Sequence, residues 1–133
     1  MVEINAYSKT KDGGKKLSSN FTVKEFACKD GSDAVLTAPR LVMVLQSIRS
    51  HFAAPVVIHS AYRTPQYNAK VGGAAHSQHC YGTAADISVK GQTPAAVATY
   101  ARTLMPDWGG VGVYAGQGFT HIDVRETRAD WTS

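Results

Sequence analysis

The sequence predicts a small α+β domain: a small antiparallel sheet with flanking helices, in one unit. Three observations predict it. Segments with helical spacing of apolar residues lie mostly before and between short β-branched segments, rather than in strict alternation with them. The two last β-branched segments flank Ala115-Gly116-Gln117-Gly118, which reads as a hairpin turn. The chain has 133 residues and no internal repeat, which suits a single core.

The elements follow in order. Residues 1–20 are polar and carry Lys9, Lys11, Lys15 and Lys16 around Asp12-Gly13-Gly14, so they read as a basic N-terminal arm, with order beginning at Phe21. Thr22 and Glu25 have the spacing of a capping box for a short helix ending at Ala27 or Cys28. Phe21 before the cap and Phe26 after it are placed to act as a hydrophobic staple. Gly31-Ser32-Asp33 reads as a loop. Thr37 is the expected cap of a longer helix with Pro39 in its first turn, where a missing N–H costs nothing. Leu41, Leu45, Ile48 and Phe52, with Val44 beside them, form its core stripe. His51 falls beside that stripe near the helix end.

Pro55 ends the helix, and residues 56–60, Val-Val-Ile-His-Ser, read as a strand. Thr64-Pro65 opens a short helix that Gly72-Gly73 ends. Residues 84–89 read as a strand, and Thr93-Pro94 caps a helix reaching Leu104. Residues 111–114 and 119–124 form the hairpin. Residues 125–133 read as a polar tail with one anchor, Trp131.

Composition excludes several classes. No run approaches the ~20 apolar residues of a membrane span, so no membrane insertion is expected. No basic segment followed by an apolar run marks a signal peptide. The formal charge of +4 and pI near 9.2 fit either a solvated basic arm or attraction to a polyanion such as nucleic acid or an anionic cell wall. Aromatics are not interleaved with the lysines, so nucleic acid is not the expected partner. Cys28 and Cys80 are too few for a disulfide framework and lie in no CxxC, so two free thiols are expected.

The chemistry concentrates in residues 77–86, Ser-Gln-His-Cys-Tyr-Gly-Thr-Ala-Ala-Asp, and in Phe119-Thr120-His121-Ile122-Asp123. His79, Asp86 and His121 are candidate metal ligands. Two imidazoles and a carboxylate hold zinc and leave its fourth position to water, as catalytic rather than structural sites do. Gly82 permits the turn between the first two. Residues two apart in a strand share a face, so Phe119, His121 and Asp123 point the same way.

The string Ser77-x-His79-x-x-Gly82-x-Ala84-x-Asp86, with Ser60-Ala61-Tyr62-Arg63-Thr64 before it and His121-Ile122-Asp123-Val124 after it, resembles the D-alanyl-D-alanine carboxypeptidase family of zinc peptidases. That family includes D,D-dipeptidases and L-alanyl-D-glutamate endopeptidases of phage endolysins. The resemblance runs from about Phe21 to Trp131 and implies a hedgehog/D,D-peptidase-like zinc fold over residues 21–133. It implies zinc on His79, Asp86 and His121, Arg63 steadying the substrate carbonyl or oxyanion, Ser77 lining the substrate pocket, and peptidoglycan peptides as substrate. The plainer readings are a surface arginine at a strand end for Arg63 and a loop serine satisfying the backbone for Ser77. Without a signal peptide, the implied setting is a phage-type lysis enzyme made in the cytoplasm and acting at the wall after release.

One departure stands out. Many relatives carry an acid three positions before the last histidine, and some a histidine two before it; here these are Gly118 and Phe119. Asp123 is the first candidate for the general base, with an orienting role toward His121 as the alternative. His76 and His59 are weaker candidates, His59 being expected to hydrogen-bond in the core. Cys80 reads as a packed thiol, and Tyr62, Tyr67 and Tyr81 are candidates to line the cleft. The departure also motivates a second reading, a zinc-holding cell-wall binding module with catalysis lost. A hedgehog-like signalling domain is a third, unsupported by the flanks.

Overall fold

A computed structural model describes residues 2–133; residue 1, the first of the expected arm, lies outside the described residues. The elements are β1 (Asn5–Ser8), α1 (Lys9–Asp12), β2 (Lys16–Ser18), β3 (Phe21–Thr22), a 3₁₀ turn (Val23–Phe26), β4 (Ala34–Thr37), α2 (Pro39–Phe52), β5 (Val56–Ser60), α3 (Pro65–Lys70), a second 3₁₀ turn (Gln78–Tyr81), β6 (Ala84–Val89), α4 (Pro94–Leu104), β7 (Gly110–Tyr114), β8 (Phe119–Asp123) and β9 (Ala129–Thr132). The fold is α+β, as expected. Its main sheet runs β5-β6-β8-β7-β9.

Four of those strands pair antiparallel, but β9 joins β7 in parallel, so the sheet is mixed rather than purely antiparallel. The polar tail therefore contains a strand. Arg102, near the end of α4, holds it in place: its Nη2 donates to the Ala129 carbonyl and to Asp130 Oδ1, and its Nη1 to the carbonyls of Met105 and Trp108.

The expectation that order begins at Phe21 is corrected. β1 pairs antiparallel with β4, a strand read from sequence as loop and helix start. The Asp33 side chain ties the two together, accepting from Ser8 Oγ and Thr10 N at 2.7 Å each. The lysines of this segment are exposed nonetheless. Thr37 ends β4 instead of capping α2, whose N-cap is Ala38 with no side-chain bond. The capping box is present, Thr22 N donating to Glu25 Oε2 at 2.6 Å, a motif that contributes on the order of 1 kcal/mol. Phe21 and Phe26 meet edge to face at 6.2 Å.

α2 and α4 cover one face of the sheet. Leu41, Leu45 and Ile48 of α2 and Val97 and Ala101 of α4 bury against Ala85, Ile87 and Val89 of β6 and Ile122 of β8. The alternate residues of those strands, Ala84 and Asp86, His121 and Asp123, turn to the opposite face. Strand parity thus divides the sheet into a helix-covered core side and a chemical side. No helix among the described residues is long and apolar enough to cross a membrane.

Candidate metal centre

One row of paired residues crosses the whole main sheet: Ser60, Asp86, His121, Gly112 and Trp131. Asp86 and His121 are direct partners across β6 and β8, which brings them together at no cost in loop geometry. Ser60 enters the row because β5 carries an irregularity between Ile58 and Ser60, a bulge of the kind that re-aims side chains beside functional sites. His79 comes from the second 3₁₀ turn. Ser77 caps that turn, its Oγ accepting from His79 N, and Gly82 ends it with φ +75°. A side chain at Gly82 would lie 2.6 Å from the Leu36 carbonyl oxygen, so glycine is required by both conformation and space.

The donor atoms converge. His79 Nε2 lies 3.3 Å from Asp86 Oδ2, and His121 Nδ1 lies 3.0 Å from Asp86 Oδ1. One ligand atom from each of the three falls within 4.8 Å of the others. A tetrahedral ion with bonds of 2.0–2.1 Å keeps its donor atoms roughly 3.3 Å apart, so the spacing fits.

The hydrogen bonds behind the donors decide which nitrogens are available. His79 Nδ1 donates to the Ala61 carbonyl at 2.7 Å, which leaves the Nε2 lone pair toward Asp86. His121 Nε2 donates to Asp123 Oδ2 at 2.8 Å, which leaves Nδ1 toward Asp86. Lone pairs facing a carboxylate repel it unless a cation lies between. Carboxylate-backed histidines of this kind are a recurrent feature of metal sites. Burial alone would raise the Asp86 pKa; the His121 and His79 imidazoles beside it outweigh burial and hold the carboxyl far below the usual range. Burial would lower the His121 pKa, but its bonds to Asp123 and Asp86 raise it. Both shifts describe the protein without an ion.

Asp123 is fully buried. Its Oδ1 accepts from Gly110 N, Arg125 N and Arg125 Nε, and its Oδ2 from His121 Nε2 and Arg125 Nη2. With both oxygens engaged and no surface, it is placed to orient His121 and not to meet water. The strand-face argument correctly put it beside His121 but could not show its depth.

A cleft of about 570 Å³ opens over the triad, lined among others by Arg63, His76, Ser77, Tyr114, Arg125 and Trp131. Arg63 is held by two hydrogen bonds, Nε to Ser60 Oγ and Nη1 to Asn68 Oδ1, and its Nη2 faces Asp86 Oδ2 at 3.6 Å. Ser77 lines the cleft while also serving the backbone. Tyr62, Tyr67 and Tyr81 do not line it; Tyr114 does. His59 is corrected from a core residue to an exposed one whose Nε2 meets Ser88 Oγ at 2.7 Å. Cys28 is buried and Cys80 half-buried, both as free thiols.

Sequence reasoning missed Arg125, Tyr114, the roles of Gly110 and Gly112, and the place of Trp131. Trp131 donates from Nε1 to Tyr114 Oη at 2.9 Å, and its ring lies 5.0 Å from that of His121. It fits because Gly112 has no side chain; a Cβ there would lie 2.5 Å from Trp131 Nε1. A Cβ at Gly110 would strike the Asp123 carboxylate in the same way. Gly112→Ala is therefore expected to displace Trp131 and cost about 1–3 kcal/mol. In a Trp108→Phe background, a red shift of the remaining tryptophan emission would show the displacement, and unchanged emission would refute it.

No curated protein matches the chain. The family model described as Peptidase M15 matches residues 16–123, a span that contains every member of the triad, and the chain belongs to that family.

Proposed function

We propose that the protein is a zinc-dependent peptidase that hydrolyses peptide bonds in the stem peptides of peptidoglycan, as a D,D-carboxypeptidase or endopeptidase. The observation that supports it most is the convergence of His79 Nε2, Asp86 and His121 Nδ1 at the floor of an open cleft, with each imidazole's other nitrogen engaged by the protein. Two nitrogens and a carboxylate suit zinc. When bound, the ion supplies Lewis acidity to a water and to the scissile carbonyl.

The chain's own residues supply the rest. Arg63, held on the cleft wall by Ser60 and Asn68, donates to the carbonyl oxygen as it gains negative charge. Asp123 keeps His121 in the tautomer that leaves Nδ1 unprotonated toward the ion. Ser77 keeps a hydroxyl proton for the substrate while its oxygen serves His79 N. His76, exposed on the cleft rim, takes the proton-moving role that Gly118 and Phe119 leave open. The setting proposed is the cell wall, reached as phage lysis enzymes reach it; the net charge of +4 supports attraction to that anionic polymer.

Incubating the zinc-loaded protein with purified peptidoglycan, followed by mass analysis of soluble fragments, tests the reading and names the bond. Release of fragments with new amino termini is expected. Full metal occupancy without release would favour the binding module, which the absence of an acid at Gly118 motivates. His76→Ala is expected to lower kcat by about 10²–10⁴-fold with zinc content unchanged. Wild-type turnover in that variant would remove His76 from the mechanism.

A further inference from the structure

We propose that Arg125 is a carboxylate-binding residue of the cleft, so that the preferred peptide carries a free carboxylate near the bond that is cut. This deepens the peptidase reading and rests on it. Asp123 takes Arg125 Nε at 2.9 Å and Nη2 at 2.7 Å, which fixes one edge of the planar guanidinium. Trp131 supports its face, with the guanidinium carbon 5.4 Å from the ring centroid, and Trp131 is itself pinned by Tyr114. Guanidinium carries five N–H groups. Those not used by Asp123 include the pair on Nη1, which with Nη2 forms a second fork matching a carboxylate.

The side chain is 31% exposed and lines the cleft beside His121 and Trp131. Arg63, the other cleft arginine, is differently committed: each of its three nitrogens already faces Ser60, Asn68 or Asp86. The one carboxylate lining the cleft, among the described residues, is Asp86 of the ligand triad. Asp123 engages the inner edge of the guanidinium from beneath, and the outer edge faces a cleft whose lining adds no carboxylate beyond Asp86, so that edge is placed to take an anionic group on the peptide. A neutral peptide would leave the fork facing water.

The probe is the peptide L-Ala-γ-D-Glu-L-Lys-D-Ala with its two free carboxylates, compared with the same peptide amidated at both. Isothermal titration is run on the metal-free and the zinc-loaded protein, because the metal-free protein removes direct carboxylate–metal contact and hydrolysis. The acid form is expected to bind wild type at least tenfold more tightly than the amide in both states. Arg125→Gln should erase that preference, with Arg125→Lys intermediate and metal content equal in all three. Equal binding of both peptides by wild type, or a preference that survives in Arg125→Gln, would overturn the proposal; the latter would point to Arg63. Failure to cleave peptidoglycan would sink the peptidase reading and leave this binding comparison standing.

Discussion

Replacing Asp123 by alanine is expected to destabilise the metal-free protein by about 3–5 kcal/mol, because it breaks a buried ion pair and strands its partners. The carboxylate is fully buried and receives five hydrogen bonds. Arg125 can turn to water, but the Gly110 N–H, fixed within β7, loses the Asp123 Oδ1 that accepts from it. For a domain of this size, that loss corresponds to a fall in melting temperature of roughly 10–20 °C. Asp123→Asn keeps the shape and an acceptor, so its stability cost is smaller. It presents an amide N–H to a site built for acceptors, and metal affinity should fall about 10–100-fold. Thermal melts followed by circular dichroism, and a zinc competition titration, measure the two effects separately. A melting point for Asp123→Ala within a few degrees of wild type would contradict the account of this residue.

His121→Ala is expected to remove most metal binding. Binding free energies of zinc sites of about 10–16 kcal/mol, shared among four ligands, assign about 2.5–4 kcal/mol to each, or roughly 10²–10³-fold in affinity. Turnover should fall to background at ordinary zinc concentrations. The variant should fold, because Arg125 still neutralises Asp123. Metal analysis after dialysis against a weak chelator, with wild type alongside, gives the result. One equivalent retained by His121→Ala would mean that the ion sits elsewhere. The same outcome is expected for His79→Ala, whose donor reaches the site from a different segment of chain.

Much of the architecture was legible because local signals agreed with the fold. Residues 56–60 and 84–89 are strands as their β-branched residues predict, and Thr64-Pro65 and Thr93-Pro94 open helices with the threonine accepting at the N-cap. His79, Asp86 and His121 could be singled out because their residue types suit a metal and the motif around them resembles a zinc-peptidase pattern, and the structure brings their donor atoms together. What stayed hidden depends on partners distant in the chain. β1 and β4 are four residues each, and each is held as a strand by pairing with the other. β9, Ala-Asp-Trp-Thr, alternates over only four residues, too few to announce a strand, and is held by Arg102 and by pairing with β7. Arg125 lies beyond the end of β8, where alternation ceases to say where a side chain points. The depth of Asp123 follows from Gly110 on a neighbouring strand, and strand parity reports a face but not a distance below it.

The row from Ser60 to Trp131 makes the metal centre a test of register for the whole sheet. A one-residue slip in any strand would turn its contribution to the other face, so wild-type metal affinity certifies that β6 and β8 are paired correctly. Tryptophan emission from Trp131 certifies β7 and β9 in the same way. The row also separates two kinds of change. Its middle, Asp86 and His121, would hold the proposed ion; its ends, Ser60 behind Arg63 and Trp131 beneath Arg125, would shape what the cleft accepts. Substrate preference can therefore be retuned from the two margins of the sheet while the chemistry at its centre is left untouched.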